Sequence, residues 1–176
     1  HCGGATMRVG DKIIPVFKNA NFWCSKSHWE WANISPNPRE KASFLKENLI
    51  PIKESGQLIL YDHSKEGFCS DLGFDVLLVD GHTEKMALPK IQYKGNTILF
   101  ASDLVPTAGH IPIPYLMGYD VRPLITMEEK TRVLNDLVEN SSLIFLQHDP
   151  LNEVVFLKKT EKGVRFDRSS TLKDFI

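Results

Sequence analysis

The stretch FDVLLVDGHT, residues 74–83, is an apolar run that leads into a metal-competent side chain, His82. Two later stretches have the same order, with an aspartate or a histidine directly after an apolar run: TILFASD (97–103) and LIFLQHD (143–149). Apolar runs of this length and composition predict β-strands. Because strand ends at one rim of a sheet can converge on a single point, we expect the three polar side chains to meet.

The candidate ligands are His82, Asp103 and His148, to which the chain start HCGG adds His1. Neutral imidazoles and a carboxylate are ligands that Zn²⁺, Mn²⁺ and Fe²⁺ accept in proteins. Each residue alone has an ordinary alternative, since a histidine at a strand end is commonly a surface or hydrogen-bonded residue and an aspartate there commonly forms a turn. The repeated placement is what favours a metal site.

The remaining pattern is mixed α/β, with strands that are mostly linked as hairpins. Further strands are predicted at 58–62, 90–93 and 153–158. A two-residue hairpin turn is predicted at Gly95–Asn96. The segment 104–125 is rich in proline and glycine, and we interpret it as a functional loop.

A first helix is predicted over residues 37–52. Asn37 is its expected N-cap, Glu40 would close a capping box, and Pro51 would end the helix.

A second helix is predicted over residues 127–140, capped by Thr126 with Glu129 three residues later. Apolar residues at helical spacing predict one buried face, formed by Val133, Leu134, Leu137 and Val138.

The chain has 176 residues, 42% of them hydrophobic and 24% charged, which predicts one globular domain over residues 1–176. The formal net charge is -1 and the basic residues are scattered, so no stripe for binding nucleic acid is expected. No apolar run reaches the roughly 18 residues of a membrane span. The three cysteines form no CxxC pair, which favours free thiols and a cytoplasmic location.

Four short motifs in a fixed order resemble those of the metallo-β-lactamase fold superfamily. HCGG (1–4) is similar to the last histidine and the two glycines of its HxHxDHxGG motif, and its three later metal-binding motifs are similar to DGHT (80–83), FASD (100–103) and LQHD (146–149). The resemblance covers essentially the whole chain and is greatest for the branch of the methyl parathion hydrolases and acyl-homoserine lactonases. It implies an α/β fold, the αββα four-layer sandwich.

The resemblance also implies a set of metal ligands. His82 would bind the first metal ion, His1 and His148 would bind the second, and Asp103 would bridge both. The HxHxD part of the motif is expected before His1, so this chain is expected to be the larger C-terminal part of the sandwich without its N-terminal portion. The implied cofactors are two divalent metal ions, zinc first and manganese or iron as alternatives, with partial occupancy expected where ligands are missing.

In that family a hydroxide that bridges the metal ions attacks the substrate, which implies a hydrolase of ester, lactone or phosphotriester bonds in a small molecule. Asp103 is then a catalytic residue, and Tyr115 or Tyr119 is a candidate donor to a developing oxyanion, with packing of the loop as the alternative role. A non-catalytic scaffold and a diiron redox enzyme of the same fold stay open as other functions. A homodimer is one oligomeric state that stays open for the protein.

Three further features have ordinary interpretations at this stage. Cys2 is interpreted as a small buried thiol rather than a ligand. His110 is interpreted as a hydrogen-bonded loop histidine, with a substrate contact as the alternative. In the aromatic segment 22–31, Phe22 and Trp23 are interpreted as core packing of an amphipathic helix. The alternative is a hydrophobic entrance to the site, lined by Phe22, Trp23, Trp29 and Trp31.

Overall fold

The computed structural model describes residues 1–34, 37–62, 67–69 and 73–175. The chain divides into two compact units, His1–Ser64 and Lys65–Ile176, which we call the N-terminal unit and the C-terminal unit. No helix in these described ranges is long and apolar enough to cross a membrane.

The N-terminal unit contains an antiparallel hairpin, a parallel strand pair and two short helices. The strands are β1 (Thr6–Val9), β2 (Lys12–Pro15), β3 (Phe22–Ser25) and β4 (Leu58–Tyr61), and the helices are α1 (Lys26–Ile34) and α2 (Lys46–Glu54). Its buried cluster combines Trp29, Ala32, Phe44 and Leu49. Trp29 of the aromatic segment is a buried core residue. Phe22 and Trp23, which were expected to pack on an amphipathic helix, lie instead on strand β3 and are only partly buried.

The predicted helix over residues 37–52 is wrong at its beginning, because α2 starts only at Lys46. Asn37 instead closes a turn, since its Oδ1 accepts hydrogen bonds from the backbone N–H groups of Arg39 and Glu40. A side chain that can cap a helix can equally cap an isolated turn, and the local sequence does not distinguish the two.

The predicted end of that helix at Pro51 is also wrong, because α2 continues to Glu54. Proline removes its own N–H from the helix ladder but leaves its carbonyl as an acceptor. The N–H of Ser55 donates to the Pro51 carbonyl, and Ile52 is 1% exposed, so burial holds the last turn in place.

The C-terminal unit is built on one seven-stranded sheet with the order β11-β10-β9-β8-β7-β6-β5. All neighbouring strands are antiparallel except β8 and β9, which are parallel. The strands are β5 (Gly67–Cys69), β6 (Phe74–Val79), β7 (Met86–Tyr93), β8 (Asn96–Phe100), β9 (Leu143–Phe145), β10 (Val154–Thr160) and β11 (Gly163–Ser170). A long helix, α3 (Pro123–Glu139), lies between β8 and β9 in the chain, and its first three residues are the last three of the 104–125 segment.

Helix α3 packs its apolar face against the sheet. Val133, Leu134 and Leu137 are buried in one cluster with strand residues such as Leu88 and Leu99, which confirms the predicted face. The predicted N-terminus is wrong, because the helix begins at Pro123 with no side-chain cap from Thr126.

Thr126 lies inside the first turns of α3, where it is 1% exposed. Proline suits the first position of a helix, because its missing N–H has no intrahelical partner there. Pro123 therefore starts the helix earlier than the Thr126 and Glu129 pattern indicates, and Glu129 is left for another role.

The hairpin between β7 and β8 turns one residue earlier than predicted. Tyr93 pairs with Asn96, so the turn residues are Lys94 and Gly95. Both have positive φ, 46° and 78°, as a type I′ turn requires.

Three strands end at the same edge of the sheet. Strand β6 is antiparallel to β7, β7 is antiparallel to β8, and β8 is parallel to β9, so β6, β8 and β9 run in one direction. Three residues after the ends of these strands, at 79, 100 and 145, lie His82, Asp103 and His148. The topology thus delivers the three predicted ligands to one rim.

Candidate metal centre

Asp103 lies between two histidines of the C-terminal unit, His82 and His148. Its Oδ2 is 3.4 Å from Nε2 of His82, and its Oδ1 is 3.1 Å from Nε2 of His148. The Asp103 side chain is 13% exposed, the His82 side chain 4% and the His148 side chain 51%. Each oxygen of the Asp103 carboxylate therefore faces a different imidazole. The cluster of three side chains is exposed to solvent on the His148 side.

The second ring nitrogen of His82 is held by a buried carboxylate. Nδ1 of His82 is 2.9 Å from Oδ1 of Asp120, whose side chain is 1% exposed. Because a carboxylate accepts, the proton sits on Nδ1, and Nε2 directs its lone pair toward Asp103. This is the arrangement in which a histidine ligates a metal ion.

Asp120 was not a predicted site residue. The other oxygen, Oδ2, is buried and has no hydrogen-bond partner among the residues that the structure describes. An aspartate near the end of a Pro- and Gly-rich segment resembles any turn-forming aspartate, so the sequence carried no specific signal for it.

The turn that carries His82 is fastened to α3. The Glu129 carboxylate accepts hydrogen bonds from the backbone N–H groups of Asp80, at 2.7 Å, and Gly81, at 2.9 Å. Arg122 donates to the Asp80 carbonyl at 2.6 Å and to the Glu84 carboxylate at 2.8 Å. Glu129 therefore holds the turn that carries His82 instead of closing a capping box.

Gly81 allows α3 to approach this turn closely. A Cβ at position 81 would lie 2.4 Å from both the backbone nitrogen and Oγ1 of Thr126. Only glycine fits that approach, so the position of His82 depends on contact between the turn and the first part of α3.

Charges around the turn are paired. Burial raises the pKa of Glu129, and the hydrogen bonds that its carboxylate accepts from two backbone N–H groups act in the opposite direction. Burial alone would raise the pKa of the Asp80 carboxyl. The hydrogen bonds and charge of Lys85, together with the charge of Arg122, outweigh burial and hold this pKa below its ordinary value. The Lys85 ammonium lies 2.7 Å from Asp80 Oδ2, which gives the turn a further link.

His148 is positioned through its backbone. Its N–H donates to the Pro106 carbonyl at 3.1 Å. The neighbouring Asp149 accepts hydrogen bonds from the backbone N–H groups of Ala108, Leu151 and Asn152, at 2.8 to 2.9 Å. Burial acts to raise the pKa of Asp149, but these donors hold it below the ordinary value. The His148 segment is thus joined to the beginning of the 104–125 loop.

A buried lysine organises the middle of that loop. Lys130 of α3 is 0% exposed, and its Nζ donates to the carbonyls of Pro112, Ile113 and Tyr115 at 3.0, 3.2 and 2.7 Å. Burial lowers the pKa of Lys130 to about 8, while the charge of Asp120 acts in the opposite direction. The sequence does not indicate this role, because a lysine on a helix is normally solvent-exposed.

A cavity of about 430 Å³ adjoins His148. Its lining consists of Pro106, Thr107, His110, Leu116, Met117, Gly118, Tyr119 and His148. Of the two predicted catalytic tyrosines, Tyr119 lines this cavity, whereas Tyr115 is 62% exposed and is held by its backbone carbonyl. The catalytic roles of Asp103, Tyr115 and Tyr119 stay predictions.

The predicted ligand His1 lies in the N-terminal unit, where its ring packs edge-on against Phe44 with the centroids 4.9 Å apart. Its position relative to the other three ligands stays a prediction. Cys2 and Cys24 are free thiols that pack against the core cluster of this unit, and burial, followed by the neighbouring Cys2, raises the pKa of Cys24 to about 12. The side chain of Cys69 lies outside the described residues.

Comparison with known proteins finds similarity in structure. No protein-family model and no curated protein matches the chain. A solved structure of a probable metal-dependent hydrolase from Staphylococcus aureus is similar with a TM-score of 0.79 and 23% identity, over 97% of this chain and 58% of that one. The dizinc quorum-quenching lactonase AidC, bound to its product N-hexanoyl-L-homoserine, is similar with a TM-score of 0.71 and 24% identity, over 89% and 57% of the two chains.

A third solved structure, the hydrolase AbOPH of the β-lactamase superfamily, is similar with a TM-score of 0.73 and 18% identity, over 89% of this chain and 57% of that one. The chain thus spans less than three fifths of the length of each of these structures. The similarity confirms the predicted fold class, an α/β chain with the metallo-β-lactamase fold. Fold alone does not fix activity, which depends on the residues of the site.

Proposed function

We propose that the protein is a metal-dependent hydrolase that cleaves ester, lactone or phosphotriester bonds, with His82, Asp103 and His148 among its metal ligands. The observation that carries this proposal is the Asp103 carboxylate, which directs one oxygen toward each of two imidazole nitrogens at the rim of the sheet. Two imidazoles and a carboxylate are a donor set that zinc accepts. The residues present therefore fit the cofactor that the fold suggests.

The same geometry supports a dinuclear centre. A carboxylate whose two oxygens face opposite ligands is suited to bridge two cations, His82 on one side and His148 on the other, with His1 assigned to the His148 side. Zinc is the first candidate, and manganese or iron are the alternatives. Divalent cations supply Lewis acidity and lower the pKa of water, so that hydrolysis needs no serine or cysteine nucleophile.

The protein residues around the site have separate tasks in this proposal. Asp120 keeps the proton on Nδ1 of His82 and so keeps Nε2 available as a ligand. Asp103 contributes the negative charge that compensates the cations. His148, half exposed beside the cavity, leaves access for a small molecule. Tyr119 is the better placed tyrosine to donate a hydrogen bond to substrate, because it lines that cavity.

The similar structures include a lactonase and a hydrolase, which supports a small-molecule ester or lactone as the first substrate class to test. The full-length protein is stripped of metal with a chelator, reconstituted with zinc or manganese, and assayed on a γ-lactone, an aryl ester and a phosphotriester. We expect turnover of at least one substrate to rise with bound metal and to level off near two ions per chain. Equal turnover by the metal-free protein would contradict the proposal, and so would a metal-loaded protein that hydrolyses none of the three.

A further inference from the structure

The cavity beside His148 is nearly uncharged. Its lining residues include the apolar side chains of Pro106, Leu116 and Met117, and none of the described residues that line it is a Lys, Arg, Asp or Glu. A volume of about 430 Å³ lies within the range of small-molecule sites, roughly 300–1,000 Å³. Such a cavity favours an uncharged apolar group over an ionic one, because an ion would lose its hydration without gaining a partner.

One polar side chain in this lining has a defined orientation. Nδ1 of His110 is 2.8 Å from Oγ1 of Thr107, and both residues line the cavity. Among the described residues, Nδ1 is the one hydrogen-bond partner of the Thr107 hydroxyl. We assign Thr107 as the donor in this pair, and this assignment places the proton of a neutral imidazole on Nε2.

The form of His110 that matters for this cavity is the neutral imidazole. Burial, followed by the positive charge of Lys130, lowers the pKa of His110 below its ordinary value, while Asp120 acts in the opposite direction. A neutral His110 with its proton on Nε2 is a hydrogen-bond donor that adds no charge to the cavity. Nε2 has no hydrogen-bond partner within the part of the chain that the structure describes.

We propose that His110 is a substrate-binding residue, which donates a hydrogen bond from Nε2 to an uncharged oxygen acceptor of a substrate whose apolar group fills the cavity beside His148. The ligand class is a neutral ester or lactone with an alkyl, acyl or aryl substituent. His148 lies on the wall of the same cavity, so the bond to be cleaved would be held between His110 and the metal ligands. This inference rests on the proposed function, which it extends to substrate recognition.

The test compares His110→Ala, His110→Gln and the surface control Asn135→Ala in the full-length, zinc-reconstituted protein. Turnover is measured on γ-lactones with alkyl chains of increasing length, together with bound zinc. We expect His110→Ala to keep its zinc and to lose about tenfold in kcat/KM, the cost of removing one hydrogen bond to an uncharged acceptor. His110→Gln keeps an N–H donor and should recover part of that loss, and Asn135→Ala should behave as the wild type.

The preference for alkyl-chain length tests whether the cavity binds the apolar group of the substrate. Leu116→Phe narrows the cavity and should lower kcat/KM for the longest alkyl chain by at least about tenfold, with little change for the unsubstituted lactone, since one methylene contributes roughly 1 kcal/mol in an apolar pocket. An equal effect on both lactones would overturn the assignment of the cavity.

Failure of this inference differs from failure of the proposed function. If the wild type hydrolyses lactones and His110→Ala stays within twofold of it, His110 has no role in substrate binding while the hydrolase function stands. If the wild type hydrolyses nothing, the ¹⁵N resonance of His110 Nε2 during titration with the lactone decides. A shift that saturates supports the binding role without hydrolysis, and an unchanged resonance overturns it.

Discussion

The turn that carries His82 and the segment that carries His148 deliver the same kind of side chain to the same carboxylate, but they are built differently. His82 is 4% exposed, and its turn is bonded to Glu129, Arg122 and Asp120. His148 is 51% exposed and is positioned by its backbone N–H and by the neighbouring Asp149. His82 is thus held by contacts to its ring and its turn, whereas His148 is held by contacts of the backbone around it.

The difference separates two requirements of a catalytic metal site. A buried ligand with a carboxylate behind it holds its tautomer and direction without solvent, which fixes the geometry of the centre. An exposed ligand beside a cavity leaves room for a substrate. In the proposed centre, the His82 side would therefore provide pre-organisation and the His148 side would provide access, and changes on the two sides should have different consequences.

The largest effect is expected where the two sides meet. Asp103→Ala removes the carboxylate that both imidazoles face, so we expect turnover to fall by at least about 10³-fold and bound metal to fall below two ions per chain. Unfolding in urea should change little by comparison. The measurements are kcat with metal content on a lactone and a phosphotriester.

Two controls accompany Asp103→Ala. Asp167→Ala removes an exposed carboxylate on β11 that pairs with Lys158, and Cys2→Ser changes a thiol assigned to packing. Both should keep turnover within a few-fold of the wild type. Near-normal turnover of Asp103→Ala together with loss of activity in Cys2→Ser would replace the metal centre with thiol chemistry.

The next effect concerns the contact between the His82 turn and α3. Gly81→Ala places a methyl group 2.4 Å from the backbone of Thr126, so the helix must move. We expect the free energy of unfolding to fall by about 3 kcal/mol. Gly118→Ala is the matched control, since a Cβ there meets no atom within 4 Å, and it should change the stability by less than about 0.5 kcal/mol. Equal effects in urea denaturation would show that the turn does not depend on this contact.

A smaller effect is expected from the carboxylate behind His82. Asp120→Asn keeps the size of the side chain but lets its amide donate to Nδ1, which moves the histidine proton to the ligating nitrogen. Metal affinity should weaken by about 10- to 100-fold, measured by competition with a chromogenic chelator. Asp136→Asn on the exposed side of α3 should leave the affinity unchanged. An Asp120→Asn protein with wild-type affinity would remove the tautomer argument.

The smallest expected effect is a pH dependence of the free energy of unfolding, and it arises from Lys130, which donates to the loop that borders the cavity. The pKa of Lys130 is lowered to about 8 in the folded protein, while the unfolded chain keeps the ordinary value, so above pH 8 the unfolded state binds more protons. The contribution of this lysine to the free energy of unfolding should therefore rise with pH, by about 1 kcal/mol between pH 7 and 9. Lys130→Met should lose this rise, and Lys162→Met should retain it. Parallel curves for wild type and Lys130→Met would show that the ammonium form persists through this range.

The strands of the C-terminal unit and the convergence of His82, Asp103 and His148 could be predicted because each depends on a local pattern. An apolar run determines a strand, and the residue after it lies at the strand end whatever the remaining chain does. The four ordered motifs supplied the fold class. Capping signals were less reliable, since Thr126 and Glu129 satisfy the pattern of a helix start but are used by the tertiary contact with Gly81.

The residues that surround the ligands could not be predicted in the same way. Asp120 reaches His82 across 38 positions, and Glu129 reaches Gly81 across 48. Lys130 is buried because three loop carbonyls meet its ammonium group, which no helical pattern encodes. Partners of this kind depend on how distant elements pack, so they become visible only in the folded chain.

The central claim is that Asp103 links two metal ions held from opposite sides by His82 and His148. The most direct test is anomalous diffraction at the zinc edge from crystals of the full-length protein grown with zinc. We expect two anomalous peaks about 3.5–4 Å apart, with the Asp103 carboxylate between them, His82 on one and His148 on the other. Zinc bound to the protein with none of these three side chains within about 2.5 Å of a peak would contradict the claim.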